Sequence, residues 1–104
     1  METAPSETTL ESNPLADRFR PRPHVVWTTH TDATVLLDAD RGLYYTLNDV
    51  AGRTWELLAA GEPVIQILQC LEEEYEVGRE VLEADVDTLL RRLLDAMLIE
   101  RISP

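Results

Sequence analysis

The stretch GLYYTLN at residues 42–48, with the segment DVAGRTWELL directly after it at residues 49–58, decides the fold of this chain. The first part is aromatic and β-branched, which is typical of a strand whose alternate side chains face opposite ways. The second part has apolar residues at helical spacing, and Asn48 can cap its first turn. The sequence therefore predicts a strand that leads directly into a helix.

Two further strands are predicted upstream, at His24–Thr29 and Thr34–Asp38, where β-branched and aromatic residues again dominate. The segment Asp38–Gly42 has the composition of a tight turn, and Gly42 can adopt a positive φ angle. Three short strands in this order favour a small antiparallel meander.

Three helices are predicted after the third strand. The first ends at Gly61, the second begins at Pro63, and the third extends from about Glu80 to Met97. Residues 98–102 are expected to form a final short strand or a tail that packs on the core. The predicted fold class is α+β and winged helix-turn-helix-like, with a three-stranded antiparallel sheet followed by three helices.

The first 22 residues contain three prolines, many polar side chains and no periodic apolar pattern. We therefore predict a flexible N-terminal tail over residues 1–22 and a single domain over residues 23–104. The alternative is a docking arm that uses two apolar and three basic side chains of this segment, namely Leu15, Phe19, Arg18, Arg20 and Arg22.

Composition limits the class of protein. A chain of 104 residues with 44% hydrophobic residues can form one modest core. Its apolar runs are too short for a membrane span, and its N-terminus lacks the basic and apolar regions of a signal peptide. We therefore expect a cytoplasmic protein.

The net charge is −11, and all nine basic residues are arginines. Residues 23–104 contain sixteen of the acidic residues and only six of the arginines. Such a domain repels phosphate backbones and anionic lipids at long range, so we expect no nucleic-acid or membrane partner. A winged-helix DNA-binding regulator stays open as an alternative because the predicted topology resembles that class.

Catalytic and metal-binding patterns are weak. Cys70 is the single cysteine, and it lies in an apolar and then acidic segment away from both histidines, His24 and His30. A nucleophilic cysteine needs a nearby base, so packing is the favoured role of Cys70, with a small cysteine enzyme as the rival hypothesis. No spacing suits zinc or calcium, and no cofactor is expected.

The third strand and the three helices resemble the PqqD-like family, the recognition elements that bind leader peptides in pathways of ribosomally made and modified peptides. The likeness covers roughly residues 24–102. The family often has a glycine before the leucine of the final element, where this chain has Met97. The matching segments are Gly42–Asn48, Trp55–Leu58 with Gly61, Leu71–Val77, Asp85–Leu90 and Met97–Ile99.

The resemblance implies a non-catalytic adaptor. The pair Tyr44 and Tyr45 before Leu47 and Asn48, with the small free-standing size, is most like the lasso-peptide branch. That branch implies that the protein presents the precursor to a separate leader peptidase, a cysteine protease, and to a cyclase. A PqqD-type chaperone of a precursor for a radical SAM enzyme is the nearest alternative.

The resemblance also implies where a leader peptide binds. It would lie antiparallel along the third strand, in a groove between that strand and the third helix, and form main-chain hydrogen bonds with the strand. Apolar side chains would form the walls of the groove, and polar side chains would form its rim. Leu90 is a further candidate for the walls. The expected peptide-binding residues are Leu43, Tyr44, Tyr45, Thr46, Leu47, Asp85, Val86, Thr88, Leu89, Arg91, Arg92 and Leu93.

Overall fold

The computed structural model describes residues 16–31 and 33–102. Within them the chain forms five strands and three helices, and the three-stranded sheet followed by three helices confirms the predicted fold class. In chain order the elements are β1 (Phe19–Pro21), β2 (Val25–Thr29), β3 (Thr34–Asp38), β4 (Leu43–Leu47), α1 (Asp49–Ala59), α2 (Val64–Glu74), α3 (Arg79–Asp95) and β5 (Ile99–Arg101).

The three middle strands form an antiparallel meander in the order β2-β3-β4. Leu36 at the centre of β3 pairs with Trp27 on one side and with Tyr45 on the other. In the part of the chain that the structure describes, β4 pairs only with β3, so its outer side is a sheet edge.

The turn between β3 and β4 is built around a buried carboxylate. Asp38 is 0% exposed, and its Oδ1 accepts hydrogen bonds from the backbone N–H groups of Asp40 and Arg41, both at 3.0 Å. Gly42 completes the turn at φ +71°, a conformation that glycine adopts without steric cost. This side-chain-to-backbone bonding fixes the length of the turn and thus the strand register.

A second, two-stranded sheet corrects the predicted tail. Strand β1 pairs antiparallel with β5, and Phe19 is only 3% exposed, in contact with the core. The predicted domain boundary at residue 23 is therefore too late, because Phe19 contributes apolar surface that the core needs. Arg20 is bound to Glu100 at 2.9 Å rather than free for docking. Residues 1–15, with Leu15, lie outside the described part.

Helix α1 begins as predicted, because Asn48 Oδ1 accepts a hydrogen bond from the N–H of Ala51 at 3.0 Å. Helix α1 packs on β4 and on both other helices. The core lies between these helices and the inner faces of the strands. Its largest fully buried side chains are Trp55, Leu36, Leu58, Ile67, Leu68, Leu71, Leu82, Leu98 and Ile99.

Helix α3 ends two residues before the predicted end. Ala96 is the C-cap, and Met97 takes φ +61°, the left-handed conformation that stops a helix. The N–H of Leu98 donates to the carbonyl oxygen of Leu93 at 2.9 Å, which directs the chain into β5. Met97 thus occupies a position that favours glycine.

Candidate functional site

Strand β4 is an exposed edge with no charged side chain. Leu43 is 47% exposed and Tyr44 71% exposed, whereas Tyr45 is half-buried and Leu47 is buried. Edge strands usually carry charges, prolines or bulges that prevent pairing with other chains. Strand β4 has neither charges nor prolines, and β3 is its one partner among the described strands, so within that part of the chain its outer main-chain groups are open to an extended peptide.

The side chains of β4 alternate between two environments. Leu43, Tyr45 and Leu47 share the inner face of the sheet, and Tyr45 packs against the core. Tyr44 and Thr46 lie on the outer face and are exposed. The main chain of β4, rather than its buried side chains, is therefore the part that a partner can reach along its whole length.

Beyond the C-terminal end of β4 lies a cavity of about 460 Å³, which we call the α1–α3 groove. It starts at Asn48, directly after the strand, and separates the first two turns of α1 from the middle of α3. Its floor is apolar and its rim is polar. The lining residues are Asn48, Val50, Ala51, Thr54, Asp85, Val86, Thr88, Leu89 and Arg92.

The structure brings five of the predicted α3 residues to this groove and places the other three elsewhere. The five share one helix face and are Asp85, Val86, Thr88, Leu89 and Arg92. Leu93 is 4% exposed and belongs to the core, and Leu90 and Arg91 lie on the opposite side of α3. A helix turns 100° per residue, so adjacent arginines cannot share one narrow rim.

Three wall residues of the groove come from α1, and sequence reasoning missed them: Val50, Ala51 and Thr54. The side chain of Thr54 is satisfied internally, because its Oγ1 donates to the carbonyl oxygen of Val50 at 2.8 Å. The sequence did contain a signal for them: Val50 and Ala51 lie four and three residues before Thr54, so the three side chains share one helix face. All three are small, which allows another chain to approach that face closely.

A second cavity, also about 460 Å³, lies on the other side of α3; we call it the α2–α3 groove. Its floor includes Val64 and Leu68 of α2 and Phe19 of β1. The charges on its rim are mutually paired: Arg91 binds Asp87 at 2.8 Å, and Arg101 binds Asp17 at 3.3 Å. This groove therefore offers less unpaired charge than the α1–α3 groove.

An ion-pair cluster fixes α1 to the end of α2. The guanidinium of Arg53 donates to both oxygens of Glu74, with Nε–Oε1 at 2.9 Å and Nη2–Oε2 at 2.9 Å, and it also donates to Glu56. These bonds hold the pKa of Glu74 below its ordinary value and raise the pKa of Arg53. Next to them, burial raises the pKa of Tyr75, whose hydroxyl donates to the carbonyl oxygen of Asp49 at 3.3 Å.

Among the described residues, the hydrogen-bonding partner of Cys70 is an amide, and no metal-binding group is formed. Cys70 is half-buried on α2, and its polar neighbour is Gln66, with Nε2–Sγ at 3.7 Å. Within residues 16–31 and 33–102, no three His, Cys, Asp or Glu side chains are grouped so as to hold a metal ion. In the same ranges, none of the helices combines the length and apolarity needed to cross a bilayer.

Comparison with known proteins gives one family and two solved structures. The family described as coenzyme PQQ synthesis protein D (PqqD) matches residues 33–99. TbiB1, in complex with the TbiA(beta) leader peptide, is 32% identical with a TM-score of 0.74, and the match covers 82% of this chain and 99% of that one.

Lasso peptide synthetase B1, complexed with the leader peptide, is also 32% identical, with a TM-score of 0.73. That match covers 80% of this chain and 98% of the other. No curated protein sequence matches this chain.

Proposed function

The chain belongs to the PqqD family, and from this premise we propose that it is a non-catalytic adaptor for the leader region of a ribosomally synthesised precursor, in the lasso-peptide branch. The leader binds by strand addition to β4. The two solved relatives are both complexes with a leader peptide. Their likeness to this chain supports the branch over a PqqD-type partner of a radical SAM enzyme.

The observation that carries the proposal is the outer edge of β4, which pairs with no further strand among the described residues and leads at Asn48 into the α1–α3 groove. An added strand forms main-chain hydrogen bonds with the edge, which give affinity without regard to sequence. The N-terminal part of the added strand extends past the end of β4 toward the groove, where apolar walls such as Val86 and Leu89 select among its side chains. The edge of β4 would thus supply sequence-independent main-chain binding, and the groove would supply selectivity for side chains.

A DNA-binding role fits the surface less well. The N-terminal half of α3 presents four exposed acidic side chains: Glu80, Glu83, Asp85 and Asp87. A helix with this charge repels phosphates rather than approaching a groove of DNA. A gel-shift assay at low salt with neighbouring promoter DNA tests this alternative, and specific retardation would favour it.

Two enzymes complete the proposed assembly: a separate leader peptidase of the cysteine protease class and a cyclase. The adaptor contributes binding and positioning only, and its cytoplasmic location stays a prediction. Replacement Cys70→Ala tests the non-catalytic part, because Cys70 is the one cysteine of the chain. We expect unchanged precursor maturation; loss of maturation by a folded variant would support a cysteine enzyme instead.

The proposal is tested by fluorescence polarisation with two labelled peptides: the TbiA(beta) leader and the leader of the precursor encoded beside this chain. We expect a dissociation constant of about 1 μM or lower for at least one. Leu89→Asp, in the groove, weakens binding at least about tenfold, because it places a charge among apolar walls. The matched control is Val81→Asp, which adds the same charge at an exposed α3 position outside both grooves.

Amide hydrogen exchange locates the bound peptide. Strand addition protects those amides of Leu43–Leu47 that are not bonded to β3, while the amides of the opposite edge strand, β2, keep their exchange rates. Failure of both leaders to bind, or binding that leaves the β4 amides unprotected, would rule out the proposed mode.

A further inference from the structure

Within the described part of the chain, Arg92 differs from the other arginines of α3 in that it forms no ion pair. Arg79 binds Glu83 at 3.1 Å and Glu72 at 3.2 Å, and Arg91 binds Asp87 at 2.8 Å. Among the residues that the structure describes, no carboxylate lies within 4.0 Å of the Arg92 guanidinium. Arg18 and Arg22 also have no carboxylate within this distance among the described residues, but neither of them lines the α1–α3 groove.

The position of Arg92 would allow its charge to contact a peptide bound in the α1–α3 groove. It is an exposed residue that lines the α1–α3 groove together with the apolar side chains of Leu89 and Ala51. A guanidinium presents a planar set of donors that matches a carboxylate with two parallel hydrogen bonds. Bound peptide in the groove would also shield this pair from water, which strengthens it relative to an open surface pair.

We propose that Arg92 selects leader peptides that carry an aspartate or glutamate, by pairing with that side chain. This inference rests on the proposed function and adds a charge requirement to it. The rest of the domain is acidic and repels an anionic peptide. A single local cation therefore makes the carboxylate acceptable at one position of the peptide and unfavourable at the others.

The structure also limits where that carboxylate lies. The groove follows the C-terminal end of β4, at Asn48, so a peptide that runs antiparallel to β4 reaches Arg92 with the N-terminal part of its bound stretch. Asp85 lines the same groove seven residues earlier on α3, about 10 Å away along the helix axis. Asp85 disfavours a second carboxylate at its own end of the groove.

The test is a charge exchange between protein and peptide. Each Asp and Glu of a leader that binds the wild-type protein is replaced in turn by Asn or Gln, and then by Lys. We expect one position, in the N-terminal part of the bound stretch, where the neutral replacement weakens binding about three- to fivefold, a range typical of partly exposed ion pairs. Arg92→Glu removes that dependence and binds the Lys peptide more tightly than it binds the natural one.

Arg91→Glu is the matched control. It changes the net charge by the same amount one residue away, but Arg91 lines the α2–α3 groove. We expect it to keep the wild-type preference for the carboxylate. The assay is repeated at high salt, where the difference between the natural and neutral peptides shrinks.

The outcomes separate the two proposals. If the leader binds and protects β4 but no carboxylate position couples to Arg92, or if Arg91→Glu has the same effect as Arg92→Glu, the charge requirement is wrong and strand addition stands. If no leader binds, both proposals fail together.

Discussion

Gly52 of α1 lies so close to Thr34 of β3 that a Cβ atom at position 52 would be 2.7 Å from Thr34 Oγ1 and 3.3 Å from Thr34 Cβ. Thr34 is 2% exposed and pairs with Leu47, the last residue of the edge strand. The missing side chain therefore sets how closely α1 approaches the sheet, and with it the position of the groove wall that α1 supplies.

Gly52→Ala should destabilise the protein, although a glycine-to-alanine change inside a helix ordinarily stabilises it by up to about 1 kcal/mol. Here the added methyl group overpacks a buried contact, which costs about 1–3 kcal/mol. We expect a net loss, measured by urea unfolding. The double variant Gly52→Ala/Thr34→Ala should recover part of the loss; no recovery would mean that the Thr34 contact is not the cause.

Met97→Gly should stabilise the protein. A side chain at φ +61° costs about 1–2 kcal/mol, and the conformational freedom of glycine in the unfolded chain offsets part of that gain. We expect a net gain of up to about 1 kcal/mol in thermal unfolding. Ala96→Gly, one residue earlier at φ −81°, has no strain to relieve and should destabilise slightly. Equal effects of the two changes would contradict the explanation.

Phe19→Ala tests whether β1 belongs to the domain. Phe19 is 3% exposed, and the Arg101 guanidinium carbon lies 5.5 Å from its ring centroid. Removal of a buried phenylalanine side chain typically costs about 3–5 kcal/mol. Arg18→Ala, the exposed neighbour, should change stability by less than about 0.5 kcal/mol. If the Phe19→Ala protein were as stable as the wild type, β1 would not be part of the folded domain, and the predicted flexible tail would be correct.

Glu74→Gln should lose stability at neutral pH and match the wild type in acid. Arg53 holds the folded-state pKa of Glu74 below the ordinary value of 4.5, so the ion pair stabilises the fold above that value. This contribution is lost as the pH falls through the folded-state pKa.

Because the side chains of Arg53 and Glu74 are 36% and 39% exposed, solvent screening limits the effect at neutral pH to about 1 kcal/mol or less. Urea unfolding at neutral and acidic pH measures it, with Glu73→Gln as the control that removes the same charge next to the pair. A Glu74→Gln deficit that persists in strong acid would exclude the ion pair as its source.

The sheet and helices could be predicted because local signals agree with the tertiary contacts. The aromatic strand at 43–47, the Asn48 cap and the Gly42 turn each specify a backbone conformation on their own. The exact C-terminal residue of α3 could not be predicted from the sequence, because methionine has no intrinsic preference for a positive φ angle. Met97 adopts that angle because Leu98 hydrogen-bonds back to Leu93 and packs in the core.

The first strand was missed for a related reason. Three residues, Phe19–Pro21, carry too short a pattern to predict a strand, and their partner β5 lies about eighty residues away in the chain. Likewise, the division of Arg91 and Arg92 between two grooves depends on the rotation of α3 against its neighbours. Apolar spacing defines a helix face but not which neighbouring element that face meets.

The carboxylate of Asp38 sets the register in which β4 would present its backbone to the proposed leader peptide. It holds the turn at one length, so every backbone group of β4 is presented in a single frame. A slip by one residue would invert the strand, exposing Tyr45 and burying Tyr44. Under the proposed function, a mutation in this turn would therefore change which leader peptides fit, without replacing any residue that contacts the peptide.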